Sequence, residues 1–234
     1  MTSSRIFVAE FVGTAFLLAA VVGSGIMGER LAGGNVAVAL LANAIATGAA
    51  LVALILTFGP VSGAHLNPVV TLAAASQGGV KWSSMPTYLA AQMLGAYSGV
   101  LLAHAMFGER IVMLSTKVRS GSPQVLSEGV ATFGLLSVIW GCSRGRSSVV
   151  PFAVAAYITA AYWFTASTSF ANPAVTLARA FTETFTGIQL IDVPPFVAAQ
   201  LVGAFAATVL FRWLMPFVPA SADDAAAPKS GQRR

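Results

Sequence analysis

Long apolar stretches dominate the chain, and polar positions gather in the short gaps between them. Six stretches, approximately 6–27, 36–58, 85–107, 125–143, 149–168 and 193–215, reach the roughly 20 apolar residues that a tilted membrane-crossing helix needs. Two further apolar pieces, "AHLNPVVTLAAAS" and "FANPAVTLARAF", are too short to cross. Each carries Asn-Pro inside the apolar pattern, as Asn67-Pro68 and Asn172-Pro173. Asn caps a helix by accepting an otherwise unpaired backbone N–H, and Pro fits the first helical position, where its missing N–H costs nothing. The pattern therefore predicts two half-helices, near 67–77 and 172–182, that enter the membrane without crossing it. Irregular backbone at that depth must be covered by protein or line a watery cavity.

Composition agrees with the pattern. Only 9% of the 234 residues are charged, against roughly a quarter in soluble domains, so the chain reads as an integral membrane protein. The first apolar run is too long for the core of a signal peptide and reads as a retained span. From Ala220 the polar segment 220–234 reads as a disordered tail. The lone Cys142 excludes an intramolecular disulfide and a Cys/His metal cluster, and is expected to be a small buried hydrophobe. A net charge of +5 is scattered through loops and tail, which suits membrane topology and not a nucleic-acid partner. No His/Glu/Asp cluster or phosphate-cradling Gly loop is present, so neither an enzyme nor a cofactor is expected.

The two halves of the chain resemble each other. "AEFVGTAFLL" matches "SEGVATFGLL", pairing Glu10 with Glu128; "LNPVVTLA" matches "ANPAVTLA", pairing Asn67 with Asn172; "PTYLAAQMLGA" matches "PPFVAAQLVGA", pairing Gln92 with Gln200. Three anchors in one order define two repeats, 1–118 and 119–219, each with three spans and one half-helix. Three is odd, so the repeats insert with opposite topology, and interrupted helices at matching positions place a site at the bilayer midplane. With the N-terminus inside, eight Lys/Arg (Arg5, Lys81, Arg144, Arg146, Arg212, Lys229, Arg233 and Arg234) face the cytoplasm and five (Arg30, Arg110, Lys117, Arg119 and Arg179) face outward. That bias puts both termini in the cytoplasm.

Two half-helices starting at Asn67 and Asn172 and meeting head to head bring two positive macrodipole ends to one point. Each Asn amide N–H is then free to donate toward a lumen, where a hydroxyl or water oxygen accepts and a cation is repelled. Glu10 and Glu128 are intramembrane carboxylates, a class that is functional by default and serves either in proton relay or in holding a loop. His65 either lines the inner vestibule or packs in the loop, and His104 is expected at the membrane interface. Gly95 with Gly99, and Gly203 with Ala207, form small-residue faces for close helix packing.

"SGAHLNPVVTLA" and "FANPAVTLA", with the "AEFVGT" opening and the paired "AAQ..GA" segments, resemble the aquaporin (major intrinsic protein) family over residues 6 to about 215. The resemblance implies an all-α integral membrane fold of six transmembrane helices plus two re-entrant half-helices in an inverted repeat, a pore in every subunit and a homotetramer. It further implies a central constriction at Asn67, Pro68, Val69, Asn172, Pro173 and Ala174, and a role for Glu10 and Glu128 in accepting N–H groups of the re-entrant loops. Val69 stands where the family usually has Ala. More consequentially, Val175 stands where most members carry an Arg that narrows the pore and repels cations. Arg179 follows one helical turn later, some 6 Å along the axis, which reads as too far to replace it.

Spacing from the motifs assigns the remaining filter positions to Thr47, Ala160 and Ser169, with Tyr162 the alternative to Ala160. A filter of Thr47, Ala160, Ser169 and Val175 is wide, uncharged and weakly polar. The Val-for-Arg change resembles a bacterial subgroup of aquaporins associated with arsenic resistance. The expected activity is passive passage of small uncharged solutes such as arsenous acid, methylated arsenic solutes, glycerol, urea or boric acid across a bacterial inner membrane. A water-selective pore is the runner-up, and a secondary transporter is disfavoured because few intramembrane carboxylates are available to bind a coupling ion.

Overall fold

A computed structural model describes residues 2–215, and the expected disordered tail 220–234 lies outside the described residues. The described residues form eight α-helices: α1 (Ser3–Leu31), α2 (Val36–Ser62), α3 (Pro68–Ser76), α4 (Met85–Phe107), α5 (Ser122–Ser143), α6 (Val150–Phe164), α7 (Pro173–Ala178) and α8 (Val193–Leu214). Six of them, counted with the short turns leading into α4, α6 and α8, are long and apolar enough to cross a membrane. The two short ones, α3 and α7, are the half-helices.

Packing repeats between the halves. Helix α1 packs against α4 and α2, as α5 does against α8 and α6, while α2 meets α6 across the junction. Both half-helices touch α4 and α8 and meet each other. The molecule is apolar outside and carries polar groups inside. Leu126, Val202, Phe205 and Trp213 are exposed, as lipid-facing positions must be, whereas Glu10, Gln92, Glu128 and Gln200 are fully buried.

Small residues set how closely the helices approach. A Cβ on Gly95 of α4 would overlap the Phe11 carbonyl oxygen of α1, and one on Gly203 of α8 would overlap the Gly129 carbonyl oxygen of α5. Backbone cannot move aside as a side chain can, so Gly95→Val is expected to destabilise the fold by about 3 kcal/mol. Thermal unfolding in detergent checks this: a lowered midpoint is expected, and an unchanged one would show that α1 and α4 do not pack so closely.

Two expectations for the helices need correction. Helix α6 ends at Phe164, not 168, because Thr165 turns to extended backbone and its N–H and hydroxyl both bond to the Ala161 carbonyl, at 3.2 and 2.6 Å. Helix α7 is α-helical only to Ala178 and tightens into a 3-10 turn over Arg179–Phe181.

Candidate functional site

Each half-helix begins as its sequence dictates. Asn67 Oδ1 accepts the Val69 N–H at 3.0 Å, and Asn172 Oδ1 accepts those of Ala174 and Val175 at 3.0 and 3.3 Å. The amide nitrogens cross the pseudo-two-fold axis. Asn67 Nδ2 donates to the Ala171 carbonyl and Asn172 Nδ2 to the Leu66 carbonyl, both at 2.8 Å. One N–H of each amide is therefore committed to the other half, and only the second is left for the lumen. This tie fixes the two helix N-termini face to face.

The loops entering the half-helices are strained in matching places. Ala64 and Leu66 before α3, and Ser169 and Ala171 before α7, all have φ between 46° and 51°, a region that costs an L-residue energy. Buried carboxylates hold them there. Glu10 accepts the N–H groups of His65 and Leu66 at 3.0 and 2.8 Å, together with the Ser62 hydroxyl and the Gln92 amide. Glu128 accepts those of Phe170 and Ala171, both at 2.9 Å, together with the Gln200 amide. Every bond to these carboxylates comes from a loop or from its supports.

Between the halves lies a cavity of about 300 Å³. Aliphatic side chains such as Leu17, Leu51, Leu135 and Val154 make up most of its wall, with Asn67 and Asn172 among the few polar groups. Val69, Pro68, Pro173 and Ala174 are not part of this wall; Val69 and Ala174 are buried behind it. His65 lines the cavity, bonds Thr71 through Nδ1 at 3.1 Å and stacks on Tyr88.

Of the four assigned filter residues, Thr47, Ser169 and Val175 line the cavity. Ala160 does not. It is exposed on the outer face of α6, and Tyr162 lines the cavity instead, with its hydroxyl 3.1 Å from Thr47 Oγ1. Two residues along a helix turn a side chain by some 200°, so a two-residue register error moved the position from wall to outer surface.

The wall is also not uncharged. Arg179, only 2% exposed, lines the same cavity as Val175. Arg179 opens the 3-10 turn that follows α7, one turn beyond Val175 along the same wall. The pattern between repeats carried the signal: Val70 and Val175 are equivalent, as are Ala74 and Arg179, and all four line the cavity. The Arg179 guanidinium lies 3.4 Å from the centre of the Phe170 ring, and its Nε donates to the Thr186 carbonyl. A second cation, the half-buried Arg119, lies 5.0 Å from the Phe170 ring centre and donates to the Gly187 carbonyl. Burial, partly opposed by the Glu128 carboxylate, lowers the Arg119 pKa to about 10, leaving it charged at neutral pH.

Outside the lumen, His104 in the last turn of α4 is fully buried within the protein. Its ring bonds the Ile111 carbonyl and the Thr182 hydroxyl, pinning the α4–α5 loop to the segment after α7. Cys142 is half-buried instead of buried.

Six membrane-crossing helices and two half-helices, joined at their N-termini around a lumen, define a membrane pore built from inverted repeats. The chain belongs to the major intrinsic protein family, whose model matches residues 1–164 and 143–232. That is a family of channels and not of enzymes. It is 54% identical over 212 residues to aquaglyceroporin AqpS of Rhizobium meliloti (strain 1021), covering 91% of each chain. It is 33% identical to aquaporin NIP1-1 of Zea mays, covering 85% of this chain and 72% of the plant protein. The X-ray structure of the aquaglyceroporin from Plasmodium falciparum shares the fold, with a TM-score of 0.65 at 17% identity, over 92% of this chain and 98% of that one.

Proposed function

We propose that the chain is a passive channel conducting small uncharged solutes, glycerol-like polyols and arsenous acid among them, along the lumen between α3 and α7. The observation that carries this reading is the pair Asn67 and Asn172, each with one amide N–H tied across the axis and one left for the permeant. Two helix N-termini at the same point disfavour cations, while a neutral hydroxyl exchanges water for an Asn donor and slides along an aliphatic wall. The name of the Rhizobium meliloti relative, an aquaglyceroporin, supports a solute larger than water. Arsenous acid has three hydroxyls and no charge at neutral pH, so it presents the lumen with the same chemistry as a short polyol.

The selectivity region in this reading is Thr47, Tyr162, Ser169 and Val175, with Arg179 one turn beyond. A bacterial inner membrane, cytoplasmic termini and a homotetramer complete the proposal; the Lys/Arg distribution and the rhizobial relative support the first two. On that orientation α7 lies in the outer half. A water-selective pore is the second reading, favoured by the aromatic Tyr162 where a small residue was expected.

Val175→Arg separates the two. A second guanidinium beside Arg179 would narrow the lumen, and glycerol permeability of reconstituted vesicles is expected to fall tenfold or more while water permeability falls less. Equal loss of both would show that Val175 does not set selectivity.

A further inference from the structure

The two halves differ on their lipid-facing side, where α1 packs on α4 and α5 packs on α8. On α1, Phe7 and Phe11 stand one turn apart with their rings stacked, the centroids 6.2 Å apart and the planes within 7° of parallel. The spacing that pairs Glu10 with Glu128 pairs Phe7 with Val125 and Phe11 with Gly129. No ring stands at either place on α5, and a groove of about 660 Å³ opens there between α5 and α8. Val125, Gly129, Phe133, Ala198, Val202 and Gly203 are among the residues that line it.

Packing does not demand the missing side chain at Gly129. A Cβ there would meet only the Ala199 carbonyl oxygen, at 3.6 Å, which is ordinary contact, whereas one on Gly203 would overlap the Gly129 carbonyl oxygen. Gly inside a helix is destabilising relative to Ala, so α5 carries a local cost at Gly129 that the close approach at Gly203 does not impose. The groove is also confined to one leaflet. From Val125 to Phe133 its α5 wall runs about 12 Å, close to the roughly 15 Å depth of half a hydrocarbon core. Val125 and Pro195, in the first turns of α5 and α8, place its mouth at one membrane surface. On the orientation proposed above, that surface is the outer one.

The lining chemistry selects the occupant. None of the lining side chains carries a hydroxyl, an amide or a charge, so a polar ligand would lose its water and gain no bond. The eleven lining residues are also too few for a stable protein interface, which takes roughly 20–30 residues a side. Leu126, Val130 and Val202, all exposed, open the groove toward the bilayer. We infer that it is a binding site for one acyl chain of a phospholipid, held lengthwise between α5 and α8 where the first half carries its own pair of rings. Gly129 follows Glu128 in the chain and Ala199 precedes Gln200, the two residues that hold the α7 loop. A chain seated in the groove packs the helix turns that present those groups, so its binding stabilises the native arrangement of α7.

The probe is a phosphatidylcholine with a photoactivatable diazirine at mid-chain, added to the full-length protein in detergent and in vesicles, with labelled peptides located by mass spectrometry. In the wild type, label is expected on residues 129–133 and 202–206, and unlabelled phosphatidylcholine is expected to raise the unfolding midpoint in detergent. Gly129→Phe, which places in the groove the ring that the first half has at Phe11, is expected to cut labelling of both segments several-fold and to remove most of the lipid-dependent rise. Val8→Phe, on the exposed face of α1, is expected to leave both as in the wild type. Should Gly129→Phe not fold, Ala198→Leu, which narrows the groove from α8, decides. Label spread evenly over the lipid-facing helices, or labelling and midpoint shift unchanged by the filling variant, would overturn the site. Segments labelled in detergent monomers but protected in vesicles would assign the groove to a second copy of the chain and overturn it equally.

Discussion

Asn172→Leu is expected to bring glycerol and water permeation of reconstituted vesicles down to the level of protein-free bilayers, even when the protein inserts in normal amount. Three things are lost together. The Oδ1 cap on Ala174 and Val175 goes, a change that costs a helix start about 1 kcal/mol. The Leu66 carbonyl loses its donor at 2.8 Å and is left as a buried acceptor facing an apolar side chain, at a further cost of roughly 1–3 kcal/mol. A branched aliphatic group then occupies the centre of the lumen where the permeant exchanged its water for an amide. Asn172→Ala keeps the space open and removes only the bonds, so it separates blockage from lost donors. Flux equal to wild type in Asn172→Leu, normalised to inserted protein, would remove α7 from the permeation path.

Glu128→Leu is expected to be the most destructive single change to the fold. Its carboxylate is fully buried and accepts two backbone N–H groups and the Gln200 amide. Leucine leaves all three donors in an apolar interior. At about 1–3 kcal/mol for each orphaned group, the sum is roughly 3–9 kcal/mol, comparable with the whole stability of a typical domain. Ala171 is held at its φ of 47° by the carboxylate on its N–H and by the Asn67 amide on its carbonyl. Glu128→Gln retains an acceptor oxygen and is expected to fold with a lowered unfolding midpoint. Glu10→Leu is expected to match Glu128→Leu, since the repeat gives both carboxylates the same task. Normal size-exclusion behaviour and an unshifted midpoint for Glu128→Leu would show that the loop is held by something else.

The parts of the site legible in the sequence are those set by short-range chemistry and duplicated in the repeat. Asn followed by Pro is a local instruction to start a helix, and its appearance twice in apolar surroundings marks where both half-helices begin, with Asn67 and Asn172 as their caps. The glutamates were legible because a carboxylate in a membrane span demands partners, and the repeat paired each with the same motif. Tyr162 was less legible. Helix α6 carries no anchor linking it to the motif, and its end at Phe164 is set by a Thr165 bond to Ala161 that the hydropathy pattern does not register. Arg179 lines the same cavity as Val175 although it stands a turn further along the chain, a shared wall that axial rise alone does not register. Burial of His104 depended on a loop contact to Thr182, 78 residues away, which no local pattern encodes.

The central claim is that small uncharged solutes pass down this lumen by diffusion. Stopped-flow light scattering of vesicles containing the wild-type protein, challenged with glycerol, arsenous acid and water, tests it most directly. Rapid entry of glycerol and arsenous acid, unsaturated over the accessible concentration range and indifferent to ion gradients, is the predicted result. Fast water movement with glycerol and arsenous acid no faster than through bare lipid would contradict it and assign the pore to water alone.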